Sequence, residues 1–245
     1  MGAEATLLRS AVVPGSLDSI TAETLVRRAV QEFGAGLTFA CSFGAEDMVI
    51  MDMLLAADRN ASVFVLDTGR LHQETHDLIA KAASRWDRQF TFFVPEAGAL
   101  EALLAAQGTN GFYDSVEARK ACCRVRKVEP LARALAGKTA WLTGLRRGQS
   151  VTRTELAVAE VDAAHGGIVK LNPLAEWSEV RVWDYIRERG LPYSTLHDRG
   201  FPSVGCAPCT RAVRRIEELR SGRWWWEEPE HKECGLHGRA PNYTI

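Results

Sequence analysis

Six cysteines stand in this chain, and their spacing sorts them. Cys122 and Cys123 are adjacent and are followed by Arg124, Val125, Arg126 and Lys127; far downstream comes Cys206-Ala207-Pro208-Cys209. A lone Cys-x-x-Cys suits redox, zinc or iron–sulfur chemistry. The adjacent pair changes the weighting. Structural zinc sites space their ligands a few residues apart, because neighbouring side chains diverge and reach one small ion poorly. A [4Fe–4S] cube offers separate corner irons, so adjacent thiolates can each take one. Cys122, Cys123, Cys206 and Cys209 are therefore read first as ligands of one cluster, with zinc or a disulfide as the alternatives. Arg124, Arg126 and Lys127 on one side, and Arg211 and Arg214 on the other, would offset its negative charge. Cys41 follows an apolar run and reads as a small buried residue. Cys234 lies in Glu233-Cys234-Gly235-Leu236-His237, among chain breakers. An exposed thiol there has the setting of a nucleophile, since the thiolate is the reactive form; a surface thiol without a role is the alternative.

These side chains need a scaffold. Short apolar runs at Leu37–Ala40, Val63–Asp67, Phe90–Val94, Ala140–Thr143 and Ile168–Leu171 alternate with helical patterns. The helical patterns fall near Ala22–Phe33, Asp47–Ala57, Gln73–Arg85, Ala99–Ala106 and Cys122–Ala136. A further helix is capped by Ser178 and stopped by Gly190 and Pro192. This alternation predicts an α/β fold, doubly wound, with a mainly parallel sheet and helices on both faces. Residues 21–220 form its body, 1–20 an N-terminal segment and 221–245 a flexible tail. After Phe201, repeated Pro and Gly predict a C-terminal appendage in which only Arg211 to Leu219 is helical.

Ligands of such sheets bind beyond the carboxyl ends of the strands. The loop Cys41-Ser42-Phe43-Gly44-Ala45-Glu46-Asp47 is rich in small residues and opens a helix, which suits an anion. Leu66-Asp67-Thr68-Gly69 offers polar groups for a ribose or base edge. Thr143-Gly144-Leu145-Arg146-Arg147, with Arg153, offers guanidinium forks that match phosphate or sulfate. Each loop taken alone also reads as an ordinary capped or basic turn.

Composition bounds the function. The 245 residues carry a formal net charge of −1, with 46% hydrophobic and 25% charged residues. That balance points away from nucleic acid, and the local basic clusters suit a small anion. No stretch approaches the roughly 18 apolar residues of a membrane span, and the opening residues lack a secretory pattern. A loose myristoylation match at Met1-Gly2 is set against a frayed terminus. The expected location is the cytoplasm, where thiols stay reduced and serve metal or redox chemistry.

Taken in order, Ser-Phe-Gly-Ala-Glu-Asp, Leu-Asp-Thr-Gly-Arg-Leu-His, Cys-Cys-Arg-x-Arg-Lys, Thr-Gly-Leu-Arg-Arg, Gly-Cys-x-x-Cys-Thr and Glu-Cys-Gly-Leu-His resemble the assimilatory adenylyl-sulfate (APS) reductases of the phosphoadenylyl-sulfate reductase family. The resemblance runs from about Leu37 to His237. It implies a fold like the adenine nucleotide α-hydrolases, one [4Fe–4S] cluster on the four cysteines, and a nucleophile at Cys234 with His237 beside it. It places Lys127 between cluster and substrate and sets Arg220 and Arg223 on the activated sulfate. Ser42, Gly44, Asp47, Leu66, Thr68, Arg126, Gly144, Arg146 and Arg153 would hold the nucleotide. The implied activity is thioredoxin-dependent reduction of adenosine 5′-phosphosulfate to sulfite and AMP through a cysteine S-sulfonate, in sulfate assimilation and cysteine biosynthesis. A glutaredoxin-like protein is an alternative reductant, and a homo-oligomer is left open. Because this chain has both the cluster cysteines and the tail cysteine, it falls with the APS enzymes. The rivals are the same reaction on the 3′-phosphorylated nucleotide and a non-catalytic iron–sulfur nucleotide sensor.

Overall fold

The computed structural model describes residues 20–150, 153–214, 219–228, 232 and 235–236. The expected N-terminal segment, Cys234 and His237 lie outside these residues, apart from Ile20 of the segment.

The elements run α1 (Ala22–Phe33), β1 (Leu37–Ala40), α2 (Ala45–Ala57), β2 (Ser62–Leu66), α3 (Gln73–Arg85), β3 (Thr91–Phe93), α4 (Ala97–Gln107), α5 (Val116–Cys123), α6 (Glu129–Leu135), β4 (Ala140–Leu142), β5 (Ala159–Asp162), β6 (Ile168–Leu171) and α7 (Glu179–Glu188). They form one six-stranded sheet in the order β3-β2-β1-β4-β6-β5. All pairings are parallel except β5 with β6. The parallel strands and their helices agree with the expected doubly wound fold. The antiparallel edge strand β5 carried no legible signal, because Ala159-Glu160-Val161-Asp162 is half polar and only its pairing with β6 makes it a strand.

Side-chain alternation gives the sheet two apolar faces. Val63 and Val65 of β2, with Ala140 and Leu142 of β4, join α1, α2, α3 and α7 in the main core. Phe64 and Trp141, one residue out of phase, pack on the other face against Leu131, Ala134 and Leu135 of α6. Helix α2 is buried on nearly every side, from Met48 to Leu55, and its sequence is correspondingly apolar all round. Helix α1 instead buries one stripe, Leu25, Val26 and Ala29, and is capped by Thr21, whose hydroxyl accepts from the Thr24 amide at 3.2 Å.

Two expected boundaries move. The helix read as Cys122–Ala136 begins at Val116, where Ser115 caps it, so the adjacent cysteines close α5 instead of opening a helix. A π-helical turn, Arg124–Val128, then joins α5 to α6. The widened turn re-aims successive side chains, which is a common use of this geometry at functional sites. The expected helix from Arg211 is also corrected: Arg211 to Arg214 are not helical. Arg211 N–H donates to the Gly222 carbonyl at 3.0 Å, and Thr210 bridges antiparallel to Arg223. The polar groups of this stretch are thus met by the following segment, not by a helix of its own. Among the described residues no helix is long and apolar enough to cross a membrane.

Candidate active site

The chain leaves β1 toward β2 on one side and β4 lies on the other, so the loops after β1 and β4 diverge and open a cleft. The cleft, about 220 Å³, is lined by Ser42, Gly44, Asp47, Leu66, Thr68, Lys127, Gly144, Arg146, Arg153, Arg220 and Arg223. Three separate strand-end loops, the π-helical turn and the C-terminal segment therefore meet where the sequence motifs had to converge.

The β1 loop is built tightly. Phe43 adopts a φ of 61°, a region costly for a non-glycine residue. Its ring is buried and packs edge-on to Phe90 at 5.5 Å, which holds the turn. The Asp47 carboxylate folds back over this loop and accepts from Ser42 N–H at 2.6 Å and Ser42 Oγ at 2.7 Å. Burial pushes Asp47 up to about 6, against the two Ser42 hydrogen bonds and with help from Glu46. Opposite it, Gly144 packs so close that any side chain would strike the Asp47 carboxylate.

The arginines divide by environment. Arg146 lines the cleft but is buried, with Nε on Glu46 Oε1 at 2.8 Å and Nη1 on the Trp177 carbonyl at 3.2 Å. Its charge is thus met within the protein, and it serves as part of the wall. Arg126, expected at the nucleotide, sits elsewhere: it lines the void between the cysteines, and its Nη1 donates to the Thr68 carbonyl at 2.6 Å. That tether turns it toward the sulfurs. Arg223 is buried, donates to the Val204 carbonyl at 3.2 Å and stacks on Trp224 at 4.7 Å. Gly205 leaves it room, since a Cβ there would lie 2.2 Å from Arg223 Nη2.

Cys122, Cys123, Cys206 and Cys209 are all buried and share one cluster of contacts with Phe112, Val125 and Trp224. They line a single void with Arg70, Arg119, Arg126 and Lys127. Burial pushes the Cys206 thiol up, but Lys127, the Thr68 hydroxyl, Arg223 and Arg126 together outweigh it and leave Cys206 below its usual value. The Thr68 hydroxyl and Cys206 Sγ share a hydrogen bond at 3.3 Å. Burial, followed by the neighbouring Cys206, drives Cys209 up to about 12. Burial also raises Cys122, against the pull of Arg126. Positive neighbours thus favour the charged form at Cys206, while burial opposes it at Cys122 and Cys209. By contrast Cys41 is buried in the main core, raised by burial and by Asp47, and takes no part in this group.

Lys127 lines both the cleft and the cysteine void. It is the residue that connects the two. Sequence reasoning missed several wall residues: Trp183 and His197, packed edge-on at 5.1 Å, and the Pro202–Gly205 loop. Burial keeps His197 below the usual imidazole range even with Glu46 nearby. Only the Pro202–Gly205 loop carried a usable signal, its place immediately before Cys206.

Residues 36–212 match the family model of the phosphoadenosine phosphosulfate reductase domain. The adenosine 5′-phosphosulfate reductase of Allochromatium vinosum is 53% identical over 203 residues, covering 83% of this chain and 79% of that protein. The adenosine 5′-phosphosulfate reductase of Neisseria meningitidis serogroup B is 49% identical over 218 residues, covering 88% of both chains. The crystal structure of phosphoadenylyl-sulfate reductase from Candida auris superimposes with a TM-score of 0.69 at 28% identity, over 84% of this chain and 96% of that one. Yeast FAD synthetase, at 11% identity and a TM-score of 0.55, shares the fold alone.

Proposed function

The chain belongs to the phosphoadenosine phosphosulfate reductase domain family, and from that premise we infer that it reduces adenosine 5′-phosphosulfate to sulfite and AMP in sulfate assimilation. The observation that carries the reading to this site is the position of Lys127, shared between a cleft at the strand ends and a void lined by four buried cysteines.

The donor set fits an iron–sulfur cluster. Four thiols surround one void, and cationic residues stand around them. A cube with separate corner irons suits the adjacent pair Cys122 and Cys123 better than zinc does. We assign Cys122, Cys123, Cys206 and Cys209 as its ligands. When bound, the cluster supplies a rigid charged wall beside the cleft.

The protein's own residues then do the following. The Ser42–Asp47 loop, Leu66, Thr68 and Gly144 hold the adenosine at the diverging strand ends. Lys127, Arg220 and Arg223 gather around the sulfate and offset its charge as it is transferred. The Cys234 thiolate attacks the sulfur, the bond from sulfur to the phosphate oxygen breaks, and AMP leaves. His237, three residues on in the sequence, is the residue we assign to assist that thiol. The product is a cysteine S-sulfonate. A dithiol protein of the thioredoxin or glutaredoxin kind attacks Cys234 Sγ, sulfite departs, and the second thiol resolves the mixed disulfide, so the two electrons come from the dithiol. The tail must close for the first step and open for the second. An iron–sulfur sensor would hold the same nucleotide and cluster without turnover, and it predicts no dependence on Cys234.

Mass spectrometry of the protein mixed with adenosine 5′-phosphosulfate and no reductant tests the reading. The expected result is one added sulfonate on Cys234, absent in Cys234→Ser. Rapid sulfite release by Cys234→Ser would overturn the scheme. The ratio of kcat/KM for the two nucleotides, with and without the 3′-phosphate, tests the substrate.

A further inference from the structure

Arg119 is among the largest fully buried side chains in the protein. It sits on α5, one turn before Cys122 and Cys123. Its Nε and Nη2 donate to Glu227 Oε1 and Oε2 at 2.9 and 2.7 Å, a bidentate pair with both side chains 1–2% exposed. The same guanidinium stacks on the Trp224 ring at 4.8 Å. It also hydrogen-bonds the Cys123 thiol, and burial, which opposes its charge, is outweighed by Glu227 and Cys123.

Trp224 and Glu227, which Arg119 holds, lie in one segment. Trp224 is fully buried at a φ of 42°, a conformation bulky residues rarely adopt. Its N–H donates to the Cys209 carbonyl at 3.1 Å, and the Glu227 N–H donates back to the Trp224 carbonyl at 2.9 Å. Arg223, which faces the cleft, is the residue before Trp224. Segment 223–227 is therefore docked on the cysteine site in an unfavourable backbone state, and it leads toward Cys234. A buried charge needs fixed partners, and Arg119 reaches two: the Cys123 sulfur and the Glu227 carboxylate.

We propose that Arg119 is a positioning residue that couples occupation of the cysteine site to docking of the 223–227 segment, through its simultaneous hold on Cys123 and Glu227. This rests on the cluster reading above. A ligated Cys123 would be held in place, which fixes the guanidinium, which fixes Glu227 and Trp224 and with them Arg223. Coupling of this kind is reciprocal, so loss of Glu227 must free the segment and also weaken the hold of the cysteine site on its iron.

Hydrogen exchange read by mass spectrometry on a peptide spanning 221–228 tests it in the full chain, alongside iron content and exchange in the sheet peptides. In the iron-loaded wild type this peptide is expected to be protected. In Glu227→Gln it exchanges at least tenfold faster and iron is lost to a chelator faster than from the wild type, while sheet protection stays at wild-type levels. Chelation of iron from the wild type gives a similar acceleration confined to this region. Arg119→Lys, which keeps the charge and loses the fork, falls between wild type and Glu227→Gln. Unchanged exchange in Glu227→Gln, or equal exchange with and without iron, overturns the coupling. Wild-type protein that purifies without oxygen and still lacks iron instead overturns the cluster reading, whereas iron-loaded wild type with unchanged exchange in Glu227→Gln overturns the coupling alone.

Discussion

The Asp47 carboxylate occupies the space that a side chain at Gly144 would need: a Cβ on Gly144 would lie 2.1 Å from Asp47 Oδ1. The loop after β1 and the loop after β4 are thereby locked together across the floor of the cleft. Gly144→Ala must push the carboxylate off Ser42 and distort the nucleotide end of the site. We expect KM for adenosine 5′-phosphosulfate to rise about tenfold or more, equivalent to about 1.4 kcal/mol, with the iron content unchanged. Steady-state kinetics and titration with AMP check this.

Asp47 also makes stability depend on pH. Its folded pKa is raised from 3.8 to about 6 by burial. A carboxyl raised on folding favours the native state when protonated, so its contribution is full below about pH 4 and is lost as pH rises through about 6. At ~1.4 kcal/mol per unit this amounts to roughly 3 kcal/mol. Asp47→Asn removes the dependence. Thermal unfolding should show the variant gaining on the wild type between pH 4 and pH 7, with the gain levelling off above pH 7. A constant difference across that range would contradict the assignment.

Gly205 makes room for Arg223 as Gly144 does for Asp47. With Cβ placed 2.2 Å from Arg223 Nη2 and 2.4 Å from Cζ, Gly205→Ala must displace the guanidinium itself. Loss of one such charge-stabilising donor is expected to lower kcat by about a hundredfold. Arg223→Ala should match it, and the two changes together should cost little more than either alone. Full additivity in the double variant would show that Gly205 acts by another route.

The cysteines predict a clean division in metal content. Cys122→Ser, Cys206→Ser and Cys209→Ser each remove a proposed ligand and should lose most iron and acid-labile sulfide. Cys41→Ala should keep the full complement, because Cys41 is buried in the main core, apart from the other four. Its cost is a small cavity, about 1 kcal/mol of stability. Iron analysis and the visible absorption of protein purified without oxygen distinguish these outcomes.

Much of the site was legible because its chemistry is carried by residue types that have few other uses. Adjacent cysteines followed by Arg and Lys, a second cysteine pair, and small or basic loops after apolar strands each name a function and a place on the sheet. The helix boundary at the first cysteines was less legible. Val116 to Ala121 lack a strong apolar period, and the Ser115 cap shows only in the structure. Arg211 to Arg214 look like a helix start, yet the Arg211 N–H donates to the Gly222 carbonyl and the Val213 N–H to the Gly200 carbonyl, because those residues are brought alongside. Arg146 and Arg126 illustrate the same limit. Both belong to basic motifs, but Glu46 neutralises one and the Thr68 carbonyl turns the other toward sulfur.

By itself the sequence determined the order of the parallel strands, the likeness of the two cysteine pairs and the loops that end at the cleft, since these follow from periodicity, spacing and side-chain chemistry, all of which are local. Only the tertiary structure decided which charges remain available to a ligand. Arg119 is the clearest case: in the sequence it is one basic residue among several, and in the fold it is buried between Cys123, Trp224 and Glu227. Burial makes an ion's energy depend on what stands within a few ångströms, and those neighbours come from parts of the chain that no local pattern connects.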